Sequence, residues 1–170
     1  MKQAIAGVTP ATEREVTQMT DWPSVAAMSL GPFPVGLWLG RLYAIRSGFF
    51  IFTLGNLFCL LSIPLAILLY FRRIGPFVAT RYRLTNRRIV VERGLSGKED
   101  RSIGLDQFDQ IDLEIQPGQE WYDAGDLVFM QNKMERFRLP GVSRPQAFRQ
   151  TCLKAHQAYI GVTAALNACA

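Results

Sequence analysis

Histidine occurs once in the 170 residues, as His156, and cysteine three times, as Cys59, Cys152 and Cys169. That scarcity excludes most metal centres and nucleophilic dyads, which draw on clusters of these side chains. The cysteines stand in an apolar run, on a helical stripe and at the C-terminal end. Their spacing fits neither a metal site nor a disulfide scaffold, and in a cytoplasmic domain they would stay reduced. There is no phosphate loop and no dinucleotide fingerprint. With 49% hydrophobic residues the chain has too much core material to be disordered. With 14 glycines it is not collagen-like. The length allows one ordinary domain and some addition. A mean hydropathy of +0.09 does not separate a uniform soluble domain from an apolar block joined to a polar one.

The distribution of charge makes that separation. From Ser47 to Phe71 no residue is charged, and Phe49 to Phe71 is almost continuously apolar. As one helix, Phe50 to Phe71 would extend about 33 Å, enough to cross a hydrocarbon core of about 30 Å. Aromatic residues bound the run, Phe49 and Phe50 at its start and Tyr70 and Phe71 at its end, as at a membrane interface. Pro64 is tolerated in a spanning helix. Residues 49–71 are therefore expected to be a transmembrane helix. A second uncharged stretch, Trp22 to Gly40, is broken by Gly31-Pro32-Phe33-Pro34. Residues 22–48 are expected to be a broken or re-entrant membrane segment, with a first complete span as the alternative. Residues 1–21 read as a flexible tail, since Ala4–Val8 is too short for a signal-peptide core.

Arg72, Arg73, Arg81, Arg83, Arg87 and Arg88 closely follow the apolar run. The positive-inside rule places the C-terminal part of the chain in the cytoplasm, with Arg72 and Arg73 as the juxtamembrane anchor. The rule holds for one span or two.

Residues 76–160 have short alternating segments between turn signals, the pattern of an antiparallel β domain. Tyr82–Leu84, Arg88–Glu92, Ser102–Phe108, Ile111–Ile115, Leu127–Met130 and Arg136–Leu139 are the expected strands. Gly94, Pro117-Gly118 and Pro140-Gly141 stop three of them. A helix comes next, with Ser143 as N-cap, Pro145 in the first turn and Gln146 at capping-box spacing. Phe148, Cys152, Ala155 and Tyr159 form one apolar stripe on it. Residues 161–170 remain as a C-terminal tail.

The phrase Phe77–Gly94, with Tyr-Arg-Leu-Thr-Asn-Arg-Arg-Ile at Tyr82–Ile89, resembles the bacterial pleckstrin-homology (PH)-like membrane proteins. The Asp126–Met130 strand and the Leu139-Pro140-Gly141-Val142 approach to the helix are similar too. The resemblance covers roughly residues 50–160. It implies a membrane α-helical anchor plus a mainly-β PH-like domain, a seven-stranded two-sheet β-barrel capped by a C-terminal helix. It implies no activity and no cofactor. Members often carry a two-span hairpin, from which the broken first segment departs.

Charge patterning supplies the functional expectations. Residues 41–93 hold nine arginines and one acid, Glu92, while residues 99–126 hold nine acids and one arginine, Arg101. The acids read as a solvated face, not an acid/base pair, and His156 as a surface histidine at the edge of the stripe. No catalytic residue, metal ligand or small-molecule substrate is expected. The reading is a non-enzymatic binding or scaffolding module at the cell (inner) membrane with its C-terminal domain cytoplasmic. A protein partner would meet the acidic strands through Trp121 and Tyr122. The alternative is contact of Arg83, Arg87 and Arg88, on the first hairpin, with anionic membrane lipids. Nucleic acid is disfavoured, because the acidic block would repel phosphate.

Overall fold

The computed structural model describes residues 15–29, 32–45, 48–49, 52–74, 79–94 and 96–168. Strand β1 (Thr17–Asp21) comes first, then a 3-10 turn (Val25–Ala27) and helix α1 (Val35–Tyr43). Two-residue strands β2 (Gly48–Phe49) and β3 (Phe52–Thr53) pair with each other ahead of α2 (Leu54–Leu61) and α3 (Ile63–Ile74). Six strands come after them: β4 (Thr80–Thr85), β5 (Arg88–Arg93), β6 (Lys98–Gly104), β7 (Gln110–Glu114), β8 (Ala124–Gln131) and β9 (Met134–Ser143). A 3-10 turn (Glu120–Tyr122) precedes β8, and α4 (Pro145–Ala168) follows β9.

The larger strands make two antiparallel sheets, ordered β1-β4-β5-β6 and β7-β8-β9. Alternation turns Tyr82, Leu84, Ile89, Val91 and Ile103 of the first sheet toward Ile111, Leu127, Phe129 and Leu139 of the second. Phe148, Cys152 and Ala155 of α4 close this core, and Tyr159 packs at its edge. The expected stripe is thus the helix face that seals the two sheets. Among the described residues the strand pairings stay within each sheet, and an isolated bridge of Pro23 with Val142 and the Ser24 amide on the Gly141 carbonyl tie the 3-10 turn region to β9.

Several boundaries move. Thr17–Asp21, expected in the flexible tail, is an edge strand paired with β4, with Thr20 opposite Arg83 and Asp21 opposite Tyr82. The β domain therefore begins before the apolar region, not at residue 76. β6 starts at Lys98 and ends at Gly104. Pro140-Gly141 does not stop β9, because Gly141 takes a left-handed φ of 56° and the strand runs on to Ser143. Ser143 is consequently a strand residue whose hydroxyl bonds the Trp22 carbonyl, and α4 begins after Arg144. That helix continues to Ala168, through the expected C-terminal tail.

The apolar run is not one helix. Residues 50 and 51 lie outside the described residues, and α2 and α3 are separated at Ser62 by a bend of 57°. The cause is local. Pro64 has no N–H to bond the Leu60 carbonyl and its ring crowds that turn, so it fits only within the first turn of a new helix. Ser62 takes up the break by bonding the Cys59 carbonyl with its hydroxyl. No single described helix is long and apolar enough to cross a membrane.

Helix α1, expected within a membrane segment, is docked on the β domain. Gly36 and Gly40 lie one turn apart on its buried face. A β-carbon at Gly36 would collide with the Val25 carbonyl, and one at Gly40 with the Gly118 carbonyl. Arg41 donates to the Pro117 carbonyl from the next position. Gly40→Val is predicted to cost about 1–3 kcal/mol, the usual penalty of overpacking. Urea denaturation of the full chain in mild detergent measures it, with Leu37→Val as the control.

Candidate membrane-contact surface

Three helices gather at the end of the sheets where β1 stops and β4 starts. Leu39 and Tyr43 of α1 bury Leu69 of α3, and Val25, Met28, Leu42, Cys59, Leu65 and Tyr122 pack round them. The Tyr43 and Ser62 hydroxyls share a hydrogen bond, so α1 holds the bend itself. Gly55 packs on the Tyr43 and Ile45 carbonyls and donates to the latter at 3.1 Å. α2 and α3 thus form an elbow wrapped round the C-terminal turn of α1.

The other side of the elbow is apolar and open. Leu57, Leu60, Leu61, Ile67, Leu68 and Phe71 are exposed, Leu61 at 77%. The β domain needs none of them, since its own core is complete. A contiguous apolar face of this kind marks a surface that meets lipid or protein. The pair passes by length and composition as a bent membrane element.

The loop before β8 connects this cluster to the sheets. Trp121 stands edge-on to Tyr43, with ring centroids 5.7 Å apart. Tyr122 packs into the helical cluster beside Gly40. Both residues were expected to face a partner. Tyr122 is instead half-buried against the chain's own α1, and Trp121 keeps 49% exposure. Asp126 fixes this loop from below. Its carboxylate accepts from Gln119 Nε2 at 2.6 Å, Gln116 Nε2 at 2.9 Å and the Gly141 amide at 2.9 Å. Arg138 approaches at 3.4 Å. With 3% exposure, Asp126 is not part of a solvated face. A buried carboxylate survives only with such partners, and nothing in the spacing of acids along the sequence distinguishes it from Asp123.

The family model for the bacterial PH domain matches residues 16–158. The chain belongs to the bacterial PH domain family. The match begins one residue before β1, so the PH-like domain here contains the helices as an insertion between β1 and β4. Nothing matches in comparisons with curated proteins or with solved structures. PH-like domains are generally non-catalytic binding or scaffolding modules. Among the described residues no group of three His, Cys, Asp or Glu is arranged to hold a metal. His156 serves the PH-like core, with Nδ1 2.6 Å from the Leu105 carbonyl and its ring stacked on Phe108. Burial raises the Cys152 thiol pKa and keeps it inert.

The first-hairpin arginines are placed otherwise than sequence proximity implied. β4 leads away from the helices, and Thr85 lies five residues beyond Thr80, about 17 Å at strand rise. Arg83 pairs at 2.7 Å with Glu92, whose side chain is 3% exposed and also held by Arg81. Arg88 lies between Glu15 at 2.9 Å and Glu99 at 3.0 Å. Arg87, in the turn, also has an interaction of its own. The side chains of Arg72 and Arg73 lie outside the described residues.

The hydrogen bond from Arg88 holds the Glu15 carboxyl below the ordinary glutamate range. A carboxyl lowered by folding stabilises the fold above its unfolded pKa, and that contribution is lost as pH falls through the folded value. Both side chains are partly solvated, so the pair contributes below about 1 kcal/mol. Glu15→Gln is therefore predicted to be slightly less stable than wild type at neutral pH. Urea titrations should show the difference vanishing once pH has dropped below the ordinary glutamate range.

Proposed function

We propose that this chain is a non-catalytic binding module held at the cell membrane by its helical elbow, presenting the PH-like domain on the cytoplasmic side to a protein partner. The observation that carries the reading is the open apolar face of α2 and α3 beside a β domain whose core is already closed. Charge supports it. Residues 22–91 contain no acid and eight arginines, the balance favoured next to an anionic leaflet.

A protein partner has room on the domain away from Glu92 and its arginines. A groove of about 580 Å³ lies between the end of β7 and the start of α4, lined by Leu113, Ile115, Glu120, Asp123, Arg144 and Gln150. Exposed Ile115 and the two acids suit a partial apolar contact with a basic rim. The neighbouring β7 edge is less available for strand addition, because Arg149 of α4 bonds the Ile111 carbonyl at 2.7 Å. Lipid contact by Arg83, Arg87 and Arg88 has less support, since Arg83 and Arg88 already have carboxylate partners and the hairpin points away from the elbow.

The test is fractionation of cells expressing the full chain. Wild type is expected in the membrane fraction, resistant to salt. Leu57→Asp combined with Leu61→Asp, both on the open face, should move most of the chain to the soluble fraction with the β domain still folded. Equal membrane retention of the double variant would contradict the proposal.

A further inference from the structure

The two ends of the insertion meet. β1 ends at Asp21 and β4 begins at Thr80, and these strands are hydrogen-bonded neighbours, with Asp21 opposite Tyr82. Adjacent strands lie about 4.8 Å apart. The chain therefore leaves the sheet for the helices and returns from them at one place. A single crossing of a membrane between residues 22 and 79 is incompatible with that pairing, since it would put β1 and β4 on opposite sides.

An even number of crossings would satisfy the pairing, with α1 as the outward span and the elbow as the return. The docking of α1 rules against it. This helix has only nine residues, about 14 Å of rise. Gly36 lies on the Val25 carbonyl and Gly40 on the Gly118 carbonyl, both in segments tied to the β domain. Val25 follows Ser24, whose amide bonds the Gly141 carbonyl at 2.7 Å. Gly118 belongs to the turn that Arg41 holds through Pro117. A helix buried at two points against the aqueous domain is not surrounded by lipid.

The elbow then starts and finishes beside α1. Gly55, at the beginning of α2, bonds the Ile45 carbonyl just past the end of α1, and Leu69, near the end of α3, is fully buried against Leu39 and Tyr43. Between these points Ser62 is tied to Tyr43. The two helices rise about 12 Å and 18 Å, each short of a hydrocarbon core of about 30 Å. Their inner sides lie on α1 and their outer sides carry Leu57, Leu61 and Leu68.

We infer that the elbow is a monotopic anchor: it sinks its outer face into the acyl chains of one leaflet and leaves on the side it entered. The N-terminal strand, α1, the PH-like domain and α4 all stay on that side. This rests on the proposed membrane attachment, and it goes further by excluding both one span and a two-span hairpin. The kink at Ser62-Ile63-Pro64 is then functional. It folds an apolar run of spanning length into a shape that lies along the interface, with Tyr43 as the peg.

Site-directed labelling tests it in the full chain, with Cys59→Ala and Cys169→Ser and the buried Cys152 left in place. Single cysteines are introduced at Ala44, Leu61 and Lys133, all exposed in the structure. A membrane-impermeant maleimide is applied to spheroplasts and to inverted vesicles. Ala44→Cys and Lys133→Cys are expected to react from the same face, and Leu61→Cys from neither. Labelling of Ala44→Cys from the face opposite Lys133→Cys would overturn the inference in favour of a two-span hairpin. Labelling of Leu61→Cys from that opposite face would also overturn it. In both cases membrane attachment would stand. If all three variants react fully in the soluble fraction, the attachment itself fails and the anchor with it.

Discussion

The pairing of β1 with β4 is the constraint on which the rest depends. It is a contact between segments some sixty residues apart, and it converts an apparent N-terminal membrane anchor into an insertion within a β domain. Once Asp21 and Tyr82 are neighbours, everything between them is a closed excursion from one end of one sheet. The helical cluster, the loop carrying Trp121 and Tyr122 and the buried Asp126 then form one mechanical path. Asp126 ties the loop to β9, the loop receives α1, and α1 holds the elbow. Loop-closure entropy grows only slowly with length, so an insertion this long is compatible with a stable domain.

Much of the β domain was legible in the sequence. Ile111 and Leu113 alternate with acids, Phe137 and Leu139 alternate with arginines, and the faces they take are the ones the periodicity assigns. The stripe of Phe148, Cys152 and Ala155 was equally plain, because a helix must bury one side against the sheets. β1 was hidden for a physical reason. Its residues Thr-Gln-Met-Thr-Asp include one large apolar side chain, Met19, and an edge strand needs no more than that. The information for its pairing resides in β4, across the whole apolar region.

The helices show a different failure of local reasoning. An uncharged run of this length reads as a span because hydropathy carries no direction along the chain. Pro64 marks where direction changes, yet its role depends on whether a side chain stands ready to accept the bend, and Tyr43 lies outside the run. Gly36 and Gly40 of α1 lie in the uncharged stretch that reads as a broken membrane segment. Their spacing of four residues is instead a signal of close backbone approach, legible once a docking partner such as Gly118 is known. Asp126 and Glu92 are the counterpart among charges: composition places them in an acid block and an arginine block, whereas burial gives each a set of fixed donors. The arginine-rich first hairpin follows the apolar run in sequence and points away from it in space.

The fold depends on Thr17–Asp21 being a strand of the PH-like domain. Amide hydrogen exchange of the full chain reads this pairing strand by strand. The Val16 amide, bonded to the Asn86 side chain, and the β1 amides that face β4 are predicted to exchange slowly, together with those of β4. Exchange of residues 16–21 at the rate of an unstructured tail, with β4 still protected, would mean that β1 is not part of the sheet.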